Sequence, residues 1–359
     1  MTAKHKDGNS KNSNSKTVCN TYAPDPYASS TYGVRTPGPE FGWSVAINCD
    51  GSQVLVGSAN DPAAVYLYNG SKEKAAFPEE LLLRTFHNPH GAHAEHNGLQ
   101  SQFGLAVQMN ANGERILIGD PALETVYLYD SRGHLLHTFK NPNFEKSGDF
   151  ESMFGYSMAV SDDGAVIAIG APESYFHEYG ATGAVYLFHQ LSEEDPTKWI
   201  GSEPIYKPGN RSRNDNFGDS IALSPDGTLL LAGAWQANDG VGDVHLFLIS
   251  QEKRENGGCV PTVELKRTII SPEEEETSLS GFGWAVDLTD EYAFVGAKGA
   301  HSQHKKGAGE VYVYKMQDVK DENEFDIDLI DTILHTASED DECGGALSAA
   351  GNRLLVASY

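Results

Sequence analysis

The chain has 359 residues, with 51 acidic against 26 basic side chains and a net charge of −25 at pH 7. That excess argues against a nucleic-acid partner and against docking on anionic membranes. No apolar run approaches the roughly 18 residues a membrane span requires.

Residues 1–17 are mainly Lys, Asn, Ser, Gly and His, with no apolar side chain after Ala3. They lack the apolar segment of a secretory signal and read as a disordered polar tail. The remainder, 18–359, reads as one domain because it repeats. Phe-Gly followed by a short apolar run occurs at Phe41-Gly42, Phe103-Gly104, Phe154-Gly155, Phe217-Gly218 and Phe282-Gly283, with a worn copy at Gly344-Gly345. A period of this size marks a repeat architecture.

Each signature starts a first strand, which runs into a turn at Asp50-Gly51, Asn112-Gly113, Asp163-Gly164 or Asp226-Gly227, with Asp290-Glu291 and Gly351-Asn352 as variants. Asn-Gly and Asp-Gly between apolar runs predict hairpins whose two central residues both have positive φ. Second strands follow at Val54–Gly57, Ile116–Gly119, Val166–Gly170, Leu229–Gly233 and Ala293–Gly296. Third strands follow at Val65–Tyr68, Val126–Tyr129, Val185–Phe188, Val244–Phe247 and Val311–Tyr314. A weaker fourth strand closes each unit, as at Leu81–Phe86, His134–Phe139 and Leu329–Leu334. The first two runs are apolar at consecutive positions, which marks strands buried on both faces. The expected fold is all-β: a β-propeller of four-stranded antiparallel blades, with the Phe-Gly strands innermost and Phe41, Phe103, Phe154, Phe217 and Phe282 buried between blades. The sixth unit has two strands, Ala346–Ala349 and Arg353–Ser358. Either 18–36 folds back to complete it, giving six blades, or the chain is a piece of a seven-bladed propeller.

Phe-Gly opening the first strand, Gly170-Ala171-Pro172 ending the second and Gly183 to Phe188 forming the third resemble the FG-GAP repeats of integrin-α-like propellers. Leu136 to Pro142 resembles the inter-blade phrase of bacterial-type members of that class. The resemblance covers 41–359 and implies adhesion or recognition outside the cell; the missing signal points the other way, so the compartment stays open.

Several residues invite a chemical reading. Ser44, Ser157 and Ser220 lie in Gly-x-Ser-x-Ala, but a nucleophile elbow needs a strand-to-helix turn, and these repeat inside strands. The Asp-Gly turns carry at most two acids each, too few oxygens for calcium. His87, His90, His93 and His96 crowd one loop and would suit a transition metal, yet a solvated polar loop accounts for them. Cys19, Cys49, Cys259 and Cys343 are too scattered for a disulfide framework, so reduced thiols are expected. No catalytic motif, cofactor or metal site is expected. The expected function is non-catalytic binding of a protein or glycan partner through variable loops. Tyr175, Phe176, His177 and Tyr179 form the candidate ligand-contact loop, since exposed aromatics suit interfaces. The alternative is an enzyme or enzyme accessory with a polar site in the central channel.

Overall fold

Short turns between successive apolar runs leave no length for crossovers, so each repeat folds as a meander. The computed structural model describes residues 41–59, 63–70, 81–91, 95–96, 99–143, 152–176, 179–192, 195–253, 259–272, 279–301, 307–318, 325–334, 341–350 and 353–358. The expected tail and the expected pairing of 18–36 lie outside them.

Sheet I contains Phe41–Ile47, Gln53–Ser58, Ala64–Asn69 and Leu82–His87, neighbours in chain order. Sheet II contains Val107–Met109, Ile116–Asp120, Thr125–Tyr129 and Leu135–Lys140. In sheet III, Ser157–Val160, Val166–Ala171, Ala184–Gln190 and Trp199–Gly201 are joined by a short fifth strand, Ile205–Tyr206. Sheet IV is Ile221–Leu223, Leu229–Ala234, Asp243–Lys253 and Cys259–Ile270. Sheet V is Phe282–Leu288, Tyr292–Ala297, Glu310–Asp318 and Phe325–Leu334. Sheet VI pairs Ala346–Ala350 with Arg353–Ala357. The protein is thus all-β, built from repeated antiparallel sheets.

The core is a series of slabs, one between each pair of consecutive sheets from I to V. Ile116 and Ile118 face sheet I beside Leu55, Val65 and Leu67, while Leu117 and Leu128 face sheet III beside Phe154, Ile167 and Ile169. Alternate residues of one strand therefore enter opposite slabs. Both are buried, which is why the sequence runs apolar without alternation. Phe103, Phe154, Phe217 and Phe282 are fully buried in successive slabs, as expected. Phe41 is not: it is half-buried, and Trp43, Val45 and Ile47 on the same strand are 61%, 64% and 60% exposed. Among the described residues no preceding sheet covers that strand.

Glycine sets how closely the sheets approach. A Cβ on Gly57, Gly119, Gly170, Gly233 or Gly296 would lie 2.1–2.3 Å from the carbonyl oxygen of Gly104, Gly155, Gly218, Gly283 or Gly344 in the next sheet. The three serines of the Gly-x-Ser contexts serve the same seam. Ser44 Oγ donates to Gly104 O at 2.8 Å, Ser157 Oγ donates to Gly218 O at 2.7 Å, and Ser220 Oγ accepts from Val286 N at 2.8 Å.

The turns differ from the expected geometry. Gly51, Gly113, Gly164 and Gly227 have φ of 71°, 73°, 76° and 70°, but the Asp or Asn before each is not left-handed. Each glycine N–H closes back on the residue three earlier, as Gly113 N on Asn110 O at 2.9 Å. The acid or amide instead accepts the N–H two residues on: Asp50 from Ser52 at 2.8 Å, Asn112 from Glu114 at 2.9 Å, Asp163 from Ala165 at 2.9 Å and Asp226 from Thr228 at 3.0 Å. This side-chain turn is the physical reason for Asp or Asn at these positions. A second correction concerns Cys49, which is disulfide-bonded rather than reduced; Cys343 is free and buried.

Buried polar clamps hold the connections between sheets. Asn88 and Ser101 both donate to Asp120, at 3.0 and 2.6 Å. Asn141 and Ser152 do the same to Glu124. Before sheet IV the clamp becomes ionic: Lys207 Nζ lies 3.1 Å from Asp243 and 3.8 Å from Asp215, with all three side chains at most 6% exposed. His245 bonds the second oxygen of Asp243 at 3.1 Å. Removing one member leaves the others buried and uncompensated. Lys207→Ala is therefore expected to cost about 3–5 kcal/mol in urea unfolding.

Candidate functional site

The second strands end, and the first strands begin, at the end of the sheets opposite the Asp-Gly turns. The loops gathered there carry the candidate site. Tyr175–Phe176 pairs with Gly180–Ala181 in a small hairpin after the second strand of sheet III. Phe176 is half-buried, 4.4 Å from the Tyr206 ring and stacked on Tyr179 at 6.0 Å, with the Arg211 guanidinium 4.6 Å above it. Tyr179 is 51% exposed. Two of the expected contact residues thus hold one another in place, with Tyr179 presented outward; His177 lies outside the described residues. Of the histidine loop, His87 and His90 are exposed, while His93 falls outside the described residues. Among those residues no group of His, Cys, Asp or Glu is arranged to hold a metal.

The segment leading to Phe217 runs from this hairpin to a cavity between sheets IV and V. Asn214 N donates to Ala181 O at 2.6 Å, and Arg213 and Asn214 line a cavity of about 350 Å³. Its other walls are Trp235 and Gln236 after the second strand of sheet IV, Leu279 and Gly281 before sheet V, Trp284 in the first strand of sheet V, and Lys298 and Gly299 after the second. The volume is at the lower end of the range for small-ligand sites, about 300–1,000 Å³.

Two indoles shape it. The Trp235 and Trp284 rings lie 4.5 Å apart at 59°, and Lys298 Nζ sits 3.3 Å over the Trp284 ring. Such a cation is held by the ring's negative face; it also pairs with Glu342 at 3.6 Å. The rim at Gln236–Gly240 is unusual backbone. Asn238 and Asp239 are both left-handed, with φ of 55° and 60°, and Gly240 follows at 90°. Successive left-handed residues are costly for L-amino acids, and such strain concentrates at functional sites. Gly240 and Val241 are tied to Gly281 and Phe282 by backbone hydrogen bonds of 3.0 Å each, which holds the loop in this form.

Asp219 lies within electrostatic reach of Trp235 and Lys298. Burial pushes its carboxyl up to about 7, the Lys298 charge and the Trp235 indole N–H pull it down, and Glu173 pushes it up. The indole does not satisfy it, however: Trp235 Nε1–H is buried and makes no hydrogen bond of acceptable geometry. Asp287, in the slab toward sheet VI, is pushed up to about 6 by burial while accepting from Ala349 N at 2.6 Å. Both groups hold protons in the folded chain that an unfolded chain releases near pH 4. Stability from these two sites is therefore full below about pH 4 and lost as pH rises toward 7. Thermal melts between about pH 5 and 8 are expected to show Tm falling with pH, and Asp219→Asn with Asp287→Asn should flatten that slope. An unaltered slope in the double variant contradicts the assignment.

This cavity was not among the sequence expectations, yet a signal for it exists. The residue two after the second-strand glycine is Ala59, Pro121 and Pro172 in the first three repeats but Trp235 and Lys298 in the fourth and fifth. The residue after Phe-Gly is Trp43, Leu105, Tyr156 and Trp284, but Asp219 in the fourth. The site is where neighbouring repeats break their own pattern. No family model matches the chain, and a search of the curated proteins finds no match. Among the described residues no helix is long and apolar enough to cross a membrane.

Proposed function

We propose that the chain is an FG-GAP-type β-propeller that acts as a recognition module, binding a protein or glycan partner through the loop end that carries the Trp235–Trp284 cavity. Support for the radial arrangement comes from electrostatics between non-adjacent repeats. The Asp162 carboxyl, in the turn of sheet III, is raised chiefly by burial, and Asp290 in the turn of sheet V adds to this along with Asp163 and with Asp226 in sheet IV. Such reach between turns two sheets apart favours a ring, since in a linear stack they would stand about 20 Å apart. The first strands of consecutive sheets also pack on one another along the whole series.

The observation that carries the function is the cavity itself, with two indoles, two cations and a strained rim on one surface with the Tyr179 hairpin. Aromatic side chains and Arg are the groups that anchor interfaces. The test is binding of the full chain to arrayed glycans and peptides, beside Trp284→Ala and Arg213→Ala. A set of ligands lost in both variants, with Tm of Arg213→Ala within about 2 °C of the parent, is the expected result. No ligand, or an unchanged set, contradicts it.

Asp219 supports a second, enzymatic reading, because a half-buried carboxyl poised near neutrality close to Trp235 and Lys298 of the cavity wall suits a general acid. Turnover of chromogenic glycosides or esters that disappears in Asp219→Asn would favour it.

A further inference from the structure

Cys49 is disulfide-bonded, and the chain has four cysteines in all. Cys343 is free, which leaves Cys19 and Cys259 as partners. The backbone at Cys259 pairs with Lys253 near the tip of the long hairpin of sheet IV. That hairpin leans on sheet III, where the Gln251 amide meets His189 Nδ1 at 3.0 Å. Cys49 sits in the turn of sheet I, its N–H donating to Ala111 O of sheet II at 2.9 Å. Bridged cysteines have Cα atoms within about 7 Å of each other, whereas sheets I and III are already two packing steps of about 10 Å apart. The radial arrangement proposed above does not close that distance. Cys259 is on the fourth strand of its sheet, three strand spacings or about 14 Å from the first. Cys259 is out of reach, and Cys19, which lies outside the described residues, remains.

The strand that leads to Cys49 is also the one left uncovered. Trp43, Val45 and Ile47 form a row on one face of it, each 60% exposed or more, and Cys49 follows two residues past the end of the row. From this we infer that Cys49 is joined to Cys19, and that the bond lays residues 20–40 along the Trp43–Val45–Ile47 face as a strap. Both ends of the strap are fixed. At one, the chain enters the strand at Phe41, whose ring is held 5.7 Å from Tyr66; at the other is the disulfide, about 27 Å along the strand. Residues 20–40 reach roughly 70 Å when extended, so they follow the strand with length to spare. They supply Tyr22, Tyr27, Tyr32 and Val34 for the apolar row. Pro24, Pro26, Pro37 and Pro39 lack the N–H a ladder needs, so the segment covers the face rather than adding a strand. A second copy of the chain is a poorer occupant, because one row on one strand falls far short of the roughly 800 Å² per partner of a stable interface. Closing the bond takes one hydrogen from each thiol, and the two electrons pass to a small disulfide such as oxidised glutathione, released as two thiols.

The test is tryptic digestion of the full chain, purified without reductant, followed by mass spectrometry. Trypsin cuts after Lys16, Arg35 and Lys72, so the expected product is 17–35 joined to 36–72 by a bond that dithiothreitol opens. Hydroxyl-radical labelling of the intact protein reads the cover. Cys19→Ser removes the tether, and with it the high effective concentration of the segment at the face, so Trp43 oxidation should rise about twofold or more. Cys19→Ser and Cys49→Ser should lower Tm equally and the double variant no further, since all three lose one and the same bond. Cys49 joined to 255–266, or to a second copy in a disulfide-linked dimer, overturns the inference. So does recovery of Cys19 as a free thiol. A Cys19–Cys49 bond with Trp43 oxidation unchanged in Cys19→Ser overturns the covering of the face.

Discussion

Replacing Gly170 by alanine is expected to destabilise the protein by about 4 kcal/mol or more, at the extreme of single substitutions. Gly170 lies in the second strand of sheet III, where a Cβ would fall 2.1 Å from both Gly218 O and Ser157 Oγ. The serine can rotate away, but the carbonyl lies in the turn just before the first strand of sheet IV and cannot move without opening the slab. Ser157 already donates to that carbonyl at 2.7 Å, so one methyl group disturbs both the contact and its hydrogen bond. Gly42→Ala is the control. Its φ is +87° with nothing within 4 Å of a Cβ, so it carries only the left-handed backbone penalty, about 1–2 kcal/mol. Equal losses in the two variants, by urea denaturation, contradict the close approach of the sheets.

Phe154→Ala is expected to cost about 3–5 kcal/mol, the usual loss for a buried phenylalanine. The ring is fully buried between sheets II and III and meets Tyr186 at 5.3 Å and Phe188 at 6.4 Å, both edge-on. Neighbouring strands are hydrogen-bonded on both sides and cannot collapse into the space. Phe41→Ala, at the half-buried copy of the same motif, should cost distinctly less. Comparing the two variants separates burial from any intrinsic need for Phe-Gly.

The strands were legible in the sequence because each slab needs apolar residues on both faces, and the resulting continuous runs recur with the Phe-Gly mark. The turns were legible in place but not in geometry. Asp-Gly fits two turn types equally well, and the decision falls to side-chain acceptance of the next amides, as at Asp163 and Ala165. Cys49 could not be read, since sequence spacing says nothing of which thiol lies across from it. Phe41 departed from its repeat because burial depends on a neighbouring sheet, not on the motif. The aromatic hairpin at Tyr175 was found by composition, but its link to the cavity runs through Arg211 to Asn214, a segment with no aromatic or repeat signal of its own. The cavity draws its walls from four separated segments. Its only trace in the sequence is that Trp235, Lys298 and Asp219 stand where other repeats carry smaller or uncharged residues.

The proposed radial arrangement of the sheets is most directly tested by the distance between the first and the sixth. Spin labels attached through orthogonal handles at positions 45 and 355, both on exposed strand faces, report that distance by pulsed electron resonance. A linear series of six sheets places them five packing steps of about 10 Å apart, roughly 50 Å. A propeller brings the two ends round beside each other, and on that proposal the expected distribution peaks below about 30 Å. A single peak near 50 Å contradicts it.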